Sequence, residues 1–342
     1  MAENTKIEWA HHTWNPWEGC QKAGPGCLHC YAETRNARFG GGVAINWGPG
    51  APRRRTSASN WQLPIKWDRE AKAKGIRYRV FCASLADVFD NEVDPQWRAD
   101  LFALIRRTPH LDWLLLTKRI GNAAEMIRTA IEDFDIGYVP AFTAWPWPNV
   151  WIGATVVNQE EADRDIPKLW RVPAAKRFLS IEPMLGPINL TAAPETCPNK
   201  PEDCCGGPCT VDYLNGSMDC PACEGAEPID GSIDWVIVGG ESGPNARPMH
   251  PDWARSLRDQ CTAAGVPFLF KQWGEWREPE HGENFDTSMG RAAKPPAFIL
   301  SETGTVHCFE SEHIVNGTPV IKVGKKAAGR LLDGRTWDEV PA

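Results

Sequence analysis

The chain has 342 residues, 42% hydrophobic and 24% charged, enough for one large domain or two ordinary ones. Lys and Arg number 37 against 44 Asp and Glu, and the net charge of −7 excludes a globally basic nucleic-acid coat while leaving room for a local basic groove. No uncharged apolar run reaches transmembrane length, and the opening MAENTKIEWA lacks the basic and apolar regions of a secretory signal, so a cytoplasmic protein with no membrane partner is expected. In a reducing compartment the 12 cysteines are metal or redox ligands before they are disulfides. Many of the 17 tryptophans sit beside Pro, Gly or charge (Trp14, Trp17, Trp145, Trp147, Trp273, Trp276). Packing under long loops is the expectation for them, ahead of base-stacking platforms.

In chain order, Ile7–Trp9 predicts a first strand running toward Trp14. It leads into TWNPWEGCQKAGPGCLHCY, which spaces Cys20, Cys27 and Cys30 as C-x6-C-x2-C with no further cysteine until Cys82. Three thiolates can hold three corners of an iron–sulfur cube and leave the fourth iron open. A zinc site would need a fourth ligand, His29 or a distant residue, and buried inert thiols are the third possibility. Gly40–Trp67, rich in Gly, Pro and Trp, reads as a long loop. Its Arg53, Arg54 and Arg55 would be solvated or would touch phosphate.

After residue 75 short apolar runs alternate with amphipathic segments. The runs are Tyr78–Ser84, Asp112–Lys118, Val150–Val156, Lys176–Glu182, Asp234–Glu241 and Pro267–Trp273, each near-continuously apolar like strands buried on both faces. Helices are predicted from Asp94-Pro95, with Trp97, Leu101, Leu104 and Ile105 on one face, and over Asn122–Ile131. A third is capped by Asn158 and ended by Pro167, and a fourth covers Pro251–Ala264 with Gly265 as its stop. This alternation predicts an α/β fold, a partial (β/α)6-type parallel barrel, with an open doubly wound sheet as the alternative.

Polar residues recur where the strands end: Ser84 and Asp87, Thr117-Lys118-Arg119, Asn158, Glu182, then Gly239, Gly240, Glu241 and Ser242. That rim is where βα barrels bind ligands. Asn158 and Ser242 have a sufficient role as helix caps; Lys118, Glu182 and Glu241 do not. Cys82 lies within a strand and Cys261 on an apolar helix stripe, so both read as packing thiols. Residues 191–231 form a Cys-rich insertion in which Cys205, Cys209, Cys220 and Cys223 predict a zinc knuckle, with an auxiliary iron–sulfur cluster second. The predicted organisation is therefore 1–276 as the barrel domain carrying this insertion, and 277–342 as a small β-rich appendage. In the appendage Phe298–Leu300, Thr305–Phe309 and Val320–Val323 read as strands and Lys325–Leu332 as a helix.

The segments IEWAHHTWNPWEGC…GCLHCYAE, FCASLADVFD, LLLTKR, WIGATVVN, FLSIEPMLGP, DWVIVGGESGPNARPMH and KKAAGRLLDGRTWDEVP resemble the phage-associated three-cysteine-motif protein family, from about Thr5 to Pro341. That family is similar to radical S-adenosylmethionine (SAM) enzymes and, more distantly, to spore photoproduct lyase. The resemblance implies that Cys20, Cys27 and Cys30 bind a 4Fe–4S cluster whose open iron is chelated by SAM. Reductive cleavage by an electron donor would then give a 5′-deoxyadenosyl radical. Ser84, Asp87, Lys118, Glu182, Gly239, Gly240 and Glu241 are matched by role to SAM contacts. The commonest radical-SAM spacing is C-x3-C-x2-C, and the first interval here is longer. His29 stands where an aromatic residue often packs near adenine. A phage-encoded copy would work in the host cytoplasm. The implied function is modification or repair of nucleic acid or a nucleotide. The alternatives are a radical SAM enzyme acting on a peptide or small metabolite, and a non-catalytic zinc-binding adaptor for nucleic acid or protein.

Overall fold

The computed structural model describes residues 4–134, 144–191, 210–219, 231–280, 297–307 and 317–342. The chain divides into two compact units. One comprises Met1–Thr155, Asp165–Leu179 and Ile229–Gly231; the other comprises Val156–Arg164, Ser180–Pro228 and Ser232–Ala342. In the first unit β1 (His12–Thr13) and β2 (Trp17–Glu18) precede a 3-10 turn at Pro25–Cys27 and α1 (Tyr31–Phe39). Then come β3 (Arg54–Arg55), α2 (Ala58–Trp61), α3 (Leu63–Lys74), β4 (Tyr78–Cys82), α4 (Pro95–Arg106), β5 (Leu111–Thr117), α5 (Ile120–Glu132) and β6 (Val150–Thr155). The boundary between units falls within α6 (Gln159–Trp170) and β7 (Lys176–Ile181). The second unit continues with β8 (Thr210–Asp212), β9 (Ser217–Asp219), β10 (Trp235–Gly239), α7 (Pro251–Ala264) and β11 (Phe268–Gln272). It closes with β12 (Trp276–Arg277), β13 (Ala297–Leu300), β14 (Val306–His307), β15 (Thr318–Lys322) and α8 (Lys325–Ala328).

The fold is mixed α/β. The main sheet has seven strands in the order β1-β4-β5-β6-β7-β10-β11. Within the first unit β1, β4, β5 and β6 pair in parallel, with His12 opposite Val80, Val80 opposite Trp113, and Leu115 opposite Ile152. Within the second, β10 and β11 pair in parallel from Val236 opposite Phe268. Parallel pairing requires crossovers, and the helices supply them. The strands are buried on both faces, as their uninterrupted apolar runs predict: Val80, Leu114, Leu115, Ile152, Val236 and Ile237 are all fully inaccessible.

Local sequence signals explain the helix ends. Asp94 accepts from the Gln96 backbone N–H at 2.9 Å and Pro95 occupies the first turn of α4, which buries Leu101, Phe102, Leu104 and Ile105. His250 Nδ1 caps α7 by accepting from Asp252 N, and Gly265 ends that helix at φ 68°. Asn158 Oδ1 caps α6 by accepting from Glu161 N at 2.9 Å.

Four expectations are corrected. The first strand lies at His12–Thr13 rather than Ile7–Trp9. Ile7 instead accepts from Ala10 N in a turn, which lets Trp9 fold onto Phe81 with ring centroids 4.5 Å apart. Gly40–Trp67 is no continuous loop, because it contains α2 and the start of α3. The apolar stripe of α3 is only Pro64, Trp67 and Ala71, while buried Asp68 accepts from His110 N, so the pattern was too thin to show. Pro167 does not end α6. It sits in the last turn, where its missing N–H removes the bond to the carbonyl four residues back while the helix runs on to Trp170. The helix expected over Lys325–Leu332 stops at Ala328, because Gly329 turns out at φ 71°. Within the second unit β12, β15, β13 and β14 form an antiparallel sheet whose buried residues include Trp276, Phe298, Leu300 and Val320.

The tryptophans pack as expected: Trp14 and Trp17 are inaccessible and Trp147, Trp273 and Trp276 are buried. The insertion's Cys205, Cys209, Cys220 and Cys223 lie outside the described residues. Among the described residues no helix is long and apolar enough to cross a membrane.

Candidate metal centre

The cysteine loop belongs wholly to the first unit. Gly19 sets its entry. Its φ is +117°, and a Cβ there would stand 2.6 Å from Asn46 O and 2.9 Å from Arg53 Cδ. Two neighbouring loops then grip the backbone: Gly19 N donates to Leu85 O at 3.1 Å, Cys20 N to Asn46 O at 3.3 Å, and Gly48 N to Cys20 O at 2.9 Å. The turn Pro25–Cys27 buries Cys27, and Cys30 is the N-cap of α1. Tyr31 Oη donates to Ser84 O at 2.5 Å, holding the start of α1 against the loop after β4.

The three thiols have different surroundings. Cys20, Cys27 and Cys30 are all free. Burial pushes the Cys20 thiol up to about 12, with Asp87 adding to the rise and Arg119 opposing it. Burial also raises the Cys30 thiol, while the backbone N–H groups of Glu33 and Ala32, in the first turn of α1, pull it back. Donors of that kind are what an anionic sulfur at a helix N-terminus receives. A hollow lined by Gln21, Lys22, Glu33, Trp47, Gly48 and Pro49 lies beside the loop.

Asp87 organises the strand ends in this unit. It is 5% exposed, and its two oxygens accept from Phe89 N at 2.9 Å, Thr117 Oγ1 at 2.7 Å, Lys118 N at 3.0 Å and Arg119 Nη1 at 3.1 Å. Arg119 also donates to Cys20 Sγ at 3.5 Å and to Gln21 O at 2.6 Å, so one guanidinium joins the end of β5 to the cysteine loop. Ser84 Oγ accepts from Asn15 Nδ2 at 3.1 Å, and Asn15 Oδ1 accepts from Leu85 N at 2.7 Å. The Lys118 ammonium is half-buried and makes no hydrogen bond or ion pair among the described residues.

Of the loop arginines Arg53 is corrected, while Arg54 and Arg55 are exposed as expected. Arg53 is neither solvated nor available to phosphate: it forms a 2.7 Å ion pair with Asp90, the two side chains being 1% and 0% exposed. Arg54 pairs with Glu18, and Arg55 pairs with Asp100 at 2.6 Å and lies over Trp61.

The remaining predicted residues form a separate set inside the second unit. Glu182, just past β7, accepts from Lys271 Nζ at 2.7 and 2.8 Å and from Gln272 Nε2 at 3.2 Å. A Cβ at Gly239 would stand 3.4 Å from Glu182 Cδ, and one at Gly240 would stand 2.0 Å from Trp273 O, so both glycines mark close approaches. Glu241 is 6% exposed and is held by Arg247 through its backbone N–H and both ends of its guanidinium, at 2.6 to 2.8 Å.

Sequence reasoning placed Arg119 at a strand end without assigning it a role, and missed Asn15, Lys271 and Gln272 as members of these sets. Arg119 had a signal, since it follows Lys118 at a strand end. Lys271 and Gln272 had another, as polar residues closing the apolar run PFLF. Asn15, between Trp14 and Pro16, had none.

Among the described residues no three His, Cys, Asp or Glu side chains converge closely enough to hold one metal ion. A four-iron cube takes each thiolate on a different iron, so its ligands stand apart. Three free thiols on one loop and helix cap fit the donor set of such a cube.

The chain belongs to the family described as "Protein of unknown function (DUF5131)", whose family model matches residues 4–341. No curated protein and no solved structure matches it.

Proposed function

We propose that this protein is a radical SAM enzyme of radical-SAM-like partial-barrel fold that modifies or repairs nucleic acid or a nucleotide. The supporting observation is the set of three free thiols, Cys20, Cys27 and Cys30, presented by a loop that is hydrogen-bonded to the segment after β4 and tied by Arg119 to the end of β5. Each thiol would hold one iron of a 4Fe–4S cluster, leaving one iron for SAM. Bound there, the group would supply the single electron for reductive cleavage of SAM to a 5′-deoxyadenosyl radical.

The chain's own residues orient that chemistry. Asp87 fixes the ends of β4 and β5 through its four accepted hydrogen bonds, which keeps the cysteine loop in place. Lys118 contributes a cation without a protein partner among the described residues, suited to the carboxylate of SAM. Ser84 Oγ, held by Asn15, is a donor for the same ligand. His29, half-buried before Cys30, offers a ring that can stack on adenine. In the second unit Glu182 is charge-paired by Lys271 and Glu241 by Arg247.

The test is to incubate the anaerobically reconstituted full chain with SAM and dithionite and to quantify 5′-deoxyadenosine. Formation in the wild type and its loss in Cys27→Ala is the expected result. An iron-loaded wild type that forms none would contradict the assignment.

A further inference from the structure

Arg119 is committed to three acceptors that belong to different parts of the first unit. Nη1 lies 3.5 Å from Cys20 Sγ and 3.1 Å from Asp87 Oδ2, and Nη2 lies 2.6 Å from Gln21 O. The Arg119 and Asp87 side chains are 10% and 6% exposed, so their charges act with little screening. Helix dipoles do not account for the placement, because Arg119 precedes α5 and a cation at a helix N-terminus is disfavoured. Asp87 supplies the charge partner of the guanidinium, and the same Nη1 also faces Cys20 Sγ, where it would meet a thiolate.

We propose that Arg119 is a positioning residue that sets the reduction potential of the cluster, by keeping a positive charge and an N–H donor on the Cys20 sulfur. The inference rests on the reading of Cys20 as a cluster ligand. In a one-electron reduction an electron enters the cluster from the reductant and no bond forms or breaks, so the cluster gains one negative charge. A guanidinium against one of its thiolates favours that more negative state and raises the potential; hydrogen bonds to sulfur act in the same direction. Asp87 opposes this with a buried negative charge, and Arg119 stands between it and the sulfur. The planar fork is needed because one side chain must reach a sulfur, a carboxylate and a carbonyl together.

The experiment is a dithionite titration followed by electron paramagnetic resonance on the reconstituted full chain, with iron and sulfide counted for each sample. Arg119→Gln removes the charge and Arg119→Lys keeps it. With iron at the wild-type level, Arg119→Gln is expected to show a lower midpoint potential and Arg119→Lys a potential closer to wild type. If Arg119→Gln loses its iron, the midpoint of iron-replete Arg119→Lys decides: a value near wild type supports the proposal, and a large shift despite the retained charge overturns it. An unchanged potential in iron-replete Arg119→Gln, or iron lost from both variants, overturns it. A wild type that binds no iron overturns the cluster reading itself, which is a distinct outcome.

Discussion

Cys27 is buried in the turn that follows Gly24, with its backbone N–H donated to Gly24 O at 3.0 Å, so its thiol cannot be replaced by swinging in a neighbour. Cys27→Ala is expected to lose essentially all cluster iron, whereas Cys82→Ala and Cys261→Ala keep it, as colorimetric iron analysis of each variant would measure. Cys261 has its own consequence for stability. Burial pushes its thiol from an ordinary 9.0 to about 12, so the folded chain holds that proton more tightly than the unfolded chain. The resulting stability is fully present below pH 9 and is lost as pH rises toward 12, at about 1.4 kcal/mol per pH unit. Denaturant midpoints measured from pH 8 to 11 should fall, and Cys261→Ala should fall less steeply. A parallel slope in both proteins would assign the alkaline loss elsewhere. Arg53 and Asp90 form the most buried ion pair among the described residues, and removing one partner strands the other. Arg53→Met should cost about 3–5 kcal/mol in urea unfolding; a change under 1 kcal/mol would mean that water or a new partner reaches Asp90.

At the scale of elements, Gly19 is where the cysteine loop is most sensitive. A Cβ there meets Asn46 O at 2.6 Å on a backbone with φ +117°. Gly19→Ala should therefore lower stability by roughly 1–3 kcal/mol and reduce iron per chain, because Cys20 is the next residue. Normal iron content in that variant would show that the loop adjusts freely. The same loop shows what was legible in advance. The strands were visible because burial on both faces demands uninterrupted apolar runs such as LDWLLLT and DWVIVG, and α4 and α7 because Pro95, Pro251 and Gly265 mark their ends. α3 was hidden because its buried positions include Asp68, whose carboxylate accepts from the backbone of His110, 42 residues away. Arg53 misled for the same reason: its partner Asp90 is brought near by tertiary folding, and a run of three arginines looks solvated in a linear reading. The cysteine spacing was legible, but the pairing of Arg119 with Cys20 spans 99 positions and belongs to the fold alone.

At the scale of the whole chain, the segment between β7 and β10 is the sharpest test of independence. Its hairpin β8–β9 is fastened within the second unit by Tyr213 N to Leu190 O at 2.8 Å, Ile233 N to Leu214 O at 3.0 Å, and Tyr213 Oη to Asp163 at 2.8 Å. Tyr213 and Leu214 are fully buried. Replacing Cys197–Cys223 by a short Gly/Ser bridge should therefore lower the melting temperature while leaving iron at Cys20, Cys27 and Cys30 unchanged. Loss of that iron would show that the insertion is needed for the main site.

The central claim, that Cys20, Cys27 and Cys30 hold an iron–sulfur cluster, is most directly tested by purifying the full chain anaerobically. Iron, sulfide and zinc would be measured beside the visible spectrum. The account predicts about four irons and four sulfides at this site, with a broad charge-transfer band that dithionite bleaches and that Cys27→Ala lacks. Zinc alone, with no such band, would contradict it and favour the non-catalytic adaptor.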